Sequence, residues 1–175
     1  MSHPQQQQFI ASLKERYPDW FHGKRVLEIG SLNINGTVRD YFTDCFYVGV
    51  DIAAGPCVDL VSLGHELDFP DESFDVVISC ECMEHNPYWL ETFTNMIRMS
   101  RRLVIMTCAT TGRAEHGTTR SAPDCSPLTV QQGWEYYQNL TQEDFEILPI
   151  DLLFKEHQFI TNNESNDLYF YGWRI

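Results

Sequence analysis

The chain has 175 residues, enough for one domain with a substantial core and too few for two ordinary ones. Apolar residues make up 43% and aromatic residues 13%, a composition that excludes a disordered polymer. A formal charge of −13 excludes broad contact with nucleic acid or an anionic membrane, both of which call for basic patches.

Residues 1–8 are polar and glutamine-rich and are expected to be loose. They do not read as a signal peptide, so a cytoplasmic protein is expected, with Cys45, Cys57, Cys80, Cys82, Cys108 and Cys125 as reduced thiols. Cys80-x-Cys82 has no second pair at zinc-site spacing, so no metal site is expected from it. Phe9, Ile10, Leu13 and Tyr17 fall at helical spacing, and Pro18 ends that helix. Strands are predicted at Arg25–Ile29, Tyr47–Asp51, Asp59–Leu60, Phe74–Ser79 and Leu103–Thr107, with helices at Thr37–Phe42 and Trp89–Met99. Strands alternating with helices predict an α/β domain, a doubly wound, mostly parallel sheet spanning residues 1–175. Leu152–Ile160 and Leu168–Ile175 read as an antiparallel hairpin at a sheet edge, and the aromatic run Tyr169–Trp173 as a surface on which a homodimer would pair. The Thr-, Gly-, Ser- and Pro-rich stretch 108–133 is expected to be a lid or substrate loop.

The segment from Val26 to Gly36 carries the most chemistry. A short apolar run ends at Glu28, Gly30 punctuates the turn, and Asp51 closes the next apolar run at a spacing that suits ribose hydroxyls. A dinucleotide fingerprint would place glycines where this chain has Leu32 and Asn35. A pyrophosphate needs its backbone approach there, so a nicotinamide-linked oxidoreductase is disfavoured and a phosphate-free ligand is favoured.

Taken in order, Glu28-Ile29-Gly30-Ser31, Asn35-Gly36, Asp51-Ile52, Gly64-His65-Glu66-Leu67, Phe69 to Val77 and Cys80 to His85 resemble the class I S-adenosylmethionine-dependent methyltransferases, of the small type 11-like kind. The resemblance runs from about Val26 to Met106 and implies a Rossmann-like fold with S-adenosyl-L-methionine as cofactor. It implies that Glu28, Gly30, Ser31, Asn35 and Gly36 surround the methionine part, that Asp51 grips both ribose hydroxyls, and that Ile52 packs on adenine. Gly64, His65 and Glu66 fall in the adenine-side loop, and Cys80 at the exit of strand four. Two departures from the family stand out: the loop Glu28–Gly36 lacks its dense glycine cluster, and Leu63 stands where many relatives carry an aspartate, a contact that Glu66 or backbone would replace.

An imidazole titrates near neutral pH, so His85 and His116 are the candidate general bases, and Glu115 joins them in the loop Gly112–Gly117. Trp134, Tyr136 and Tyr137 read first as core-packing residues of a helix face, and Thr141-Gln142-Glu143-Asp144 as the cap of a following helix. Methyl transfer to a small-molecule or glycan-type acceptor is the expected activity, with a catalytically silent cofactor-binding module as the alternative.

Overall fold

The computed structural model describes residues 2–175. The first helix, α1 (Pro4–Arg16), starts earlier than the sequence predicts: the His3 ring accepts the Gln6 N–H, and Pro4 sits at the first helical position, where its missing donor costs nothing. Residues 4–8, expected to be loose, are therefore its first turns, and Met1 lies outside the described residues. The helix turns Gln6, Phe9, Ile10 and Leu13 inward.

The strands that follow are β1 (Arg25–Ile29), β2 (Phe46–Asp51), β3 (Leu60–Val61) and β4 (Phe74–Cys80). Helix α2 (Trp89–Met99) matches its predicted span and runs straight into β5 (Ser100–Ala109). Three short helices, α3 (Pro127–Gln131), α4 (Gln142–Phe145) and α5 (Ile150–Leu153), lead to the hairpin β6 (Phe154–Asn162) and β7 (Asp167–Arg174). The capping box predicted at Thr141 and Asp144 forms at α4. Trp134, Tyr136 and Tyr137 precede it in irregular backbone, not on a helix face.

One seven-stranded sheet has the order β3-β2-β1-β4-β5-β7-β6. The five strands from β3 to β5 are parallel; β7 pairs antiparallel with both β5 and β6. The aromatic strand β7 is thus interior, and the edge beside it is β6. An interior strand has no free backbone groups to offer a second subunit, so Tyr169–Trp173 cannot pair with one as expected.

Alternation along each strand splits the core into two layers. Leu27, Val77, Val104 and Phe170 face α2, Phe93 and Phe145. Val26, Val76, Ile105, Tyr169 and Tyr171 face α1. The predicted helix Thr37–Phe42 is a single 3₁₀ turn, Val38–Tyr41, capped by Thr37. Phe42 must already be extended to enter β2, and Arg39 is drawn to Asp59 at 2.9 Å, so the span is too short to nucleate an α-helix. Helix α1, arriving from the N-terminal side, covers the sheet face this turn leaves open.

Candidate functional site

Between β1 and β4 the strand order reverses, and at such a switch point loops leave the sheet in opposite directions and open a crevice at the strands' carboxyl ends. A cleft of about 920 Å³, including its open mouth, lies there. Its floor is the end of β1 and the following turn, one wall is Asp51 and Ile52 after β2, and the other is Cys80, Glu81 and Cys82 after β4.

The turn is held by backbone. Gly30 and Ser31 donate their amides to the Val50 carbonyl at 2.9 and 3.1 Å, locking the β1 exit onto β2. Gly30 has φ +81, and a Cβ there would lie 2.6 Å from the Cys82 Cβ, so only glycine permits this turn against β4. Asp51 accepts the Leu32 amide at 2.9 Å and the Ile52 amide at 2.8 Å, one on each carboxylate oxygen. That fixes the carboxylate in plane and leaves each oxygen a lone pair for a ligand. Burial raises its pKa, and the two amides pull it back down.

Glu28 lies beneath, only 4% exposed, with the Tyr47 hydroxyl donating to its Oε2 at 2.9 Å. Burial pushes its pKa up to about 8, although the Tyr47 hydrogen bond opposes this. A neutral Glu28 can donate as well as accept a hydrogen bond.

Of the residues predicted to hold a cofactor, Glu28, Gly30, Ser31, Gly36, Asp51, Ile52, Gly64 and Cys80 line the cleft. Asn35, His65 and Glu66 do not. Asn35 turns outward and donates to the Ser2 carbonyl at 2.6 Å, tying down the N-terminal segment. His65 stacks on Tyr88 with ring centroids 4.1 Å apart, and the Glu66 side chain is 65% exposed. Neither Glu66 nor Leu63 lines the cleft, so the adenine-side aspartate has no side-chain substitute at those positions.

His85 lines the far end of the cleft and is 3% exposed. His116 does not itself line the cleft but stands edge-on to His85, ring centroids 4.9 Å apart, with Tyr137 beside both. Burial drives the His85 pKa down to about 2 and lowers that of His116, so both imidazoles are neutral at physiological pH. Glu115 departs from its predicted place: its Oε1 accepts from Thr118 at 2.7 Å and from Arg120 at 2.9 Å, pointing away from the cleft.

Several lining residues have no signal in the sequence. Ser2 and Gln6 reach the cleft because α1 crosses its mouth. His3 anchors that crossing, with its Nε2 3.0 Å from Asp167 and 3.5 Å from Glu81. Burial disfavours the charged ring, but the two carboxylates outweigh it and raise the pKa to about 9. Asp167 is held in turn by Arg113 at 3.0 Å. Across the mouth, residues 125–129 of the long loop and Trp134 complete the cleft.

A family model described as a methyltransferase domain matches residues 27–106. No curated protein matches the chain. Among solved structures, the chain shares the fold of a Burkholderia thailandensis 1,6-didemethyltoxoflavin-N1-methyltransferase crystallised with 1,6-didemethyltoxoflavin and S-adenosylhomocysteine: TM-score 0.64, 12% identity, 97% of this chain and 78% of that one. A Haemonchus contortus phosphoethanolamine N-methyltransferase 2, bound to phosphomonomethylethanolamine and S-adenosylhomocysteine, gives TM-score 0.64 and 17% identity over 95% of this chain and 52% of that one. A Synechocystis magnesium protoporphyrin IX methyltransferase with S-adenosylhomocysteine gives 0.62 and 13% over 97% and 83%. The chain spans about half the length of the Haemonchus protein and of the CurJ carbon methyltransferase.

Proposed function

We propose that this chain, a member of the class I S-adenosylmethionine-dependent methyltransferases, transfers a methyl group to a small-molecule or glycan-type acceptor by in-line displacement. One observation carries the reading. The Asp51 carboxylate is oriented by two backbone amides, with a lone pair left on each oxygen, at the switch point of a cleft that His85 lines, with His116 edge-on beside that ring. The residues fit a ribose-bearing, phosphate-free cofactor. Asp51 is the acceptor for vicinal hydroxyls, Ile52 offers an apolar face, and Glu28, Gly30, Ser31, Gly36 and Cys80 line the methionine side. Among the described residues lining the cleft there is no lysine or arginine to meet a pyrophosphate.

When bound, S-adenosylmethionine supplies a methyl already activated by the sulfonium charge. The chain's own contribution is then positioning and exclusion of water. Residues 125–129 and Trp134 cover the mouth opposite Ser2 and Gln6. His116, neutral and partly exposed, is able to accept a proton from an acceptor hydroxyl or ammonium, whereas burial leaves His85 too weak a base for that and gives it a positioning role. In this reading Asn35, His65, Glu66 and Glu115 act around the site, through the loop positions they stabilise. A soluble, cytoplasmic protein that works without nucleic acid or membrane accords with the charge of −13, and among the described residues no helix is long and apolar enough to cross a membrane.

The test pairs binding with turnover. Calorimetry should show S-adenosylhomocysteine binding to the intact chain, and methyl-labelled cofactor should label members of an array of hydroxyl, amine and carboxylate acceptors. His116→Ala should slow that labelling by ~10²–10⁴-fold, the usual worth of a general base, with cofactor affinity little changed. No cofactor binding, or a fully active His116→Ala, would overturn the reading.

A further inference from the structure

Behind His85, which lines the cleft, lies a group of three donors of which the methyl-transfer reading uses only the imidazoles. Glu84 is 0% exposed, and neither of its carboxylate oxygens has a hydrogen-bond partner of ordinary geometry, the nearest donors being the backbone amides of Ala109 and of Glu84 itself. His85 is 3% exposed, and neither ring nitrogen has a partner. Buried polar groups are nearly always paired, and a buried carboxyl group left without a partner is costly. Two adjacent exceptions that face each other call for a common cause. His85 Nε2 stands 4.0 Å from Glu84 Oε1, and one donor atom each from Glu84, His85 and His116 lies within 4.8 Å of the others.

We infer that Glu84, His85 and His116 form a binding site for one divalent transition-metal ion beside the cleft, reached through His85, which lines it. Two imidazoles and one carboxylate are the donor set that zinc, iron(II), cobalt(II) and their neighbours take when positions are left open for another ligand. His116 is oriented for it. Its Nδ1 lies 3.0 Å from the Ala114 carbonyl, an acceptor, so Nδ1 carries the proton and Nε2 presents its lone pair. A ligating histidine is commonly fixed in that way through its other nitrogen. The same Ala114 carbonyl also accepts from the Tyr137 hydroxyl at 3.2 Å, which ties this arrangement to the aromatic wall. His85 is positioned from behind by Gly117, where a Cβ would lie 2.6 Å from its Cε1. A cation holding its ligands at about 2.1 Å would draw the three atoms to roughly 3–3.5 Å apart, a small movement for the partly exposed His116.

The ion's role rests on the methyl-transfer reading and replaces the proton-acceptor role given there to His116, whose lone pair the ion would take. A cation with open positions lowers the pKa of an acceptor hydroxyl, whose proton leaves to solvent water. The O–CH₃ bond then forms as the S–CH₃ bond breaks, and that bond's electron pair stays on sulfur. The substrate class this implies is an oxygen acceptor able to reach the ion, such as an alcohol, phenol or enol.

The experiment uses the full chain, stripped with a chelator, desalted and titrated with Co²⁺ while visible ligand-field absorption and Zn²⁺ competition are followed. One Co²⁺ per chain is expected. Glu84→Gln and His116→Ala should each weaken it by more than the ~10–100-fold that even an outer partner of a ligand commands. Cys82→Ser should leave it intact, with no sulfur-to-cobalt charge-transfer band. Substoichiometric binding, or binding that survives His116→Ala in protein whose circular dichroism melt is native, would overturn the site, and His116 is exposed enough that this variant should fold. S-adenosylhomocysteine affinity, measured on the same samples, separates the two claims. Cofactor bound without metal removes the metal site alone, and metal bound without cofactor removes the methyl-transfer reading alone.

Discussion

Removing the Asp51 carboxylate is the sharpest perturbation of the cofactor assignment. Each of its oxygens already accepts one backbone amide, from Leu32 at 2.9 Å and Ile52 at 2.8 Å, so each is oriented to accept one hydroxyl more. A hydrogen bond to a charged group contributes about 1.5–3 kcal/mol, so two ribose hydroxyls correspond to about 3–6 kcal/mol. At 1.4 kcal/mol per decade that is ~10²–10⁴-fold in affinity. Burial already raises the Asp51 pKa, a sign that the charge is partly desolvated before any ligand arrives, so the lower half of that range is expected for Asp51→Ala. Asp51→Asn keeps one carbonyl acceptor but turns an NH₂ toward a backbone amide, and its loss should be intermediate. Titration calorimetry with S-adenosylhomocysteine measures both, and circular dichroism melts show whether the β1 turn survives the loss of its acceptor. If folded Asp51→Ala binds within about threefold of the parent chain, the ribose hydroxyls are held elsewhere and the reasoning fails.

Gly30→Ala must place a Cβ 2.6 Å from the Cys82 Cβ at φ +81, so overpacking and backbone strain together should cost about 2–4 kcal/mol, or about 5–15 °C in Tm for a chain of this length; a midpoint unchanged by scanning calorimetry would mean that the turn relaxes freely. Phe170→Ala removes a fully buried ring packed on Phe93, Phe154 and Phe159, and should cost about 3–5 kcal/mol by urea unfolding. Stability of the metal-free chain should fall as pH rises through 8. Glu28 and Glu84 titrate near 8 when folded against an ordinary 4.5, so between those values the folded state binds more protons than the unfolded one, and the stability present in acid is lost in mild alkali. His3, raised to about 9, acts in the same direction. A urea midpoint that rises between pH of about 6 and about 8.5 would contradict this accounting.

Sheet class, the position of the glycine turn after β1 and the C-terminal hairpin were legible in the sequence because each rests on a local signal. Apolar runs of strand length end in Glu28 or Asp51, helix α2 carries an unbroken apolar stripe, and two strand-like runs flank a polar turn. Tertiary structure decided the rest. Glu115 and His116 are neighbours in sequence, yet backbone direction sends one to Arg120 and the other to His85. The polar start of the chain becomes a helix over the cleft only because His3 finds Asp167, 164 positions away in number, and its orientation could not be read from either segment alone. β7 is interior because β6 folds back outside it, which no property of Tyr169–Trp173 specifies. Local composition fixes which residues can form a strand, a turn or a cap. Which side chains meet in a low-dielectric interior, and so which carboxyls stay protonated and which imidazoles stay neutral, is set by contacts between segments distant in the chain.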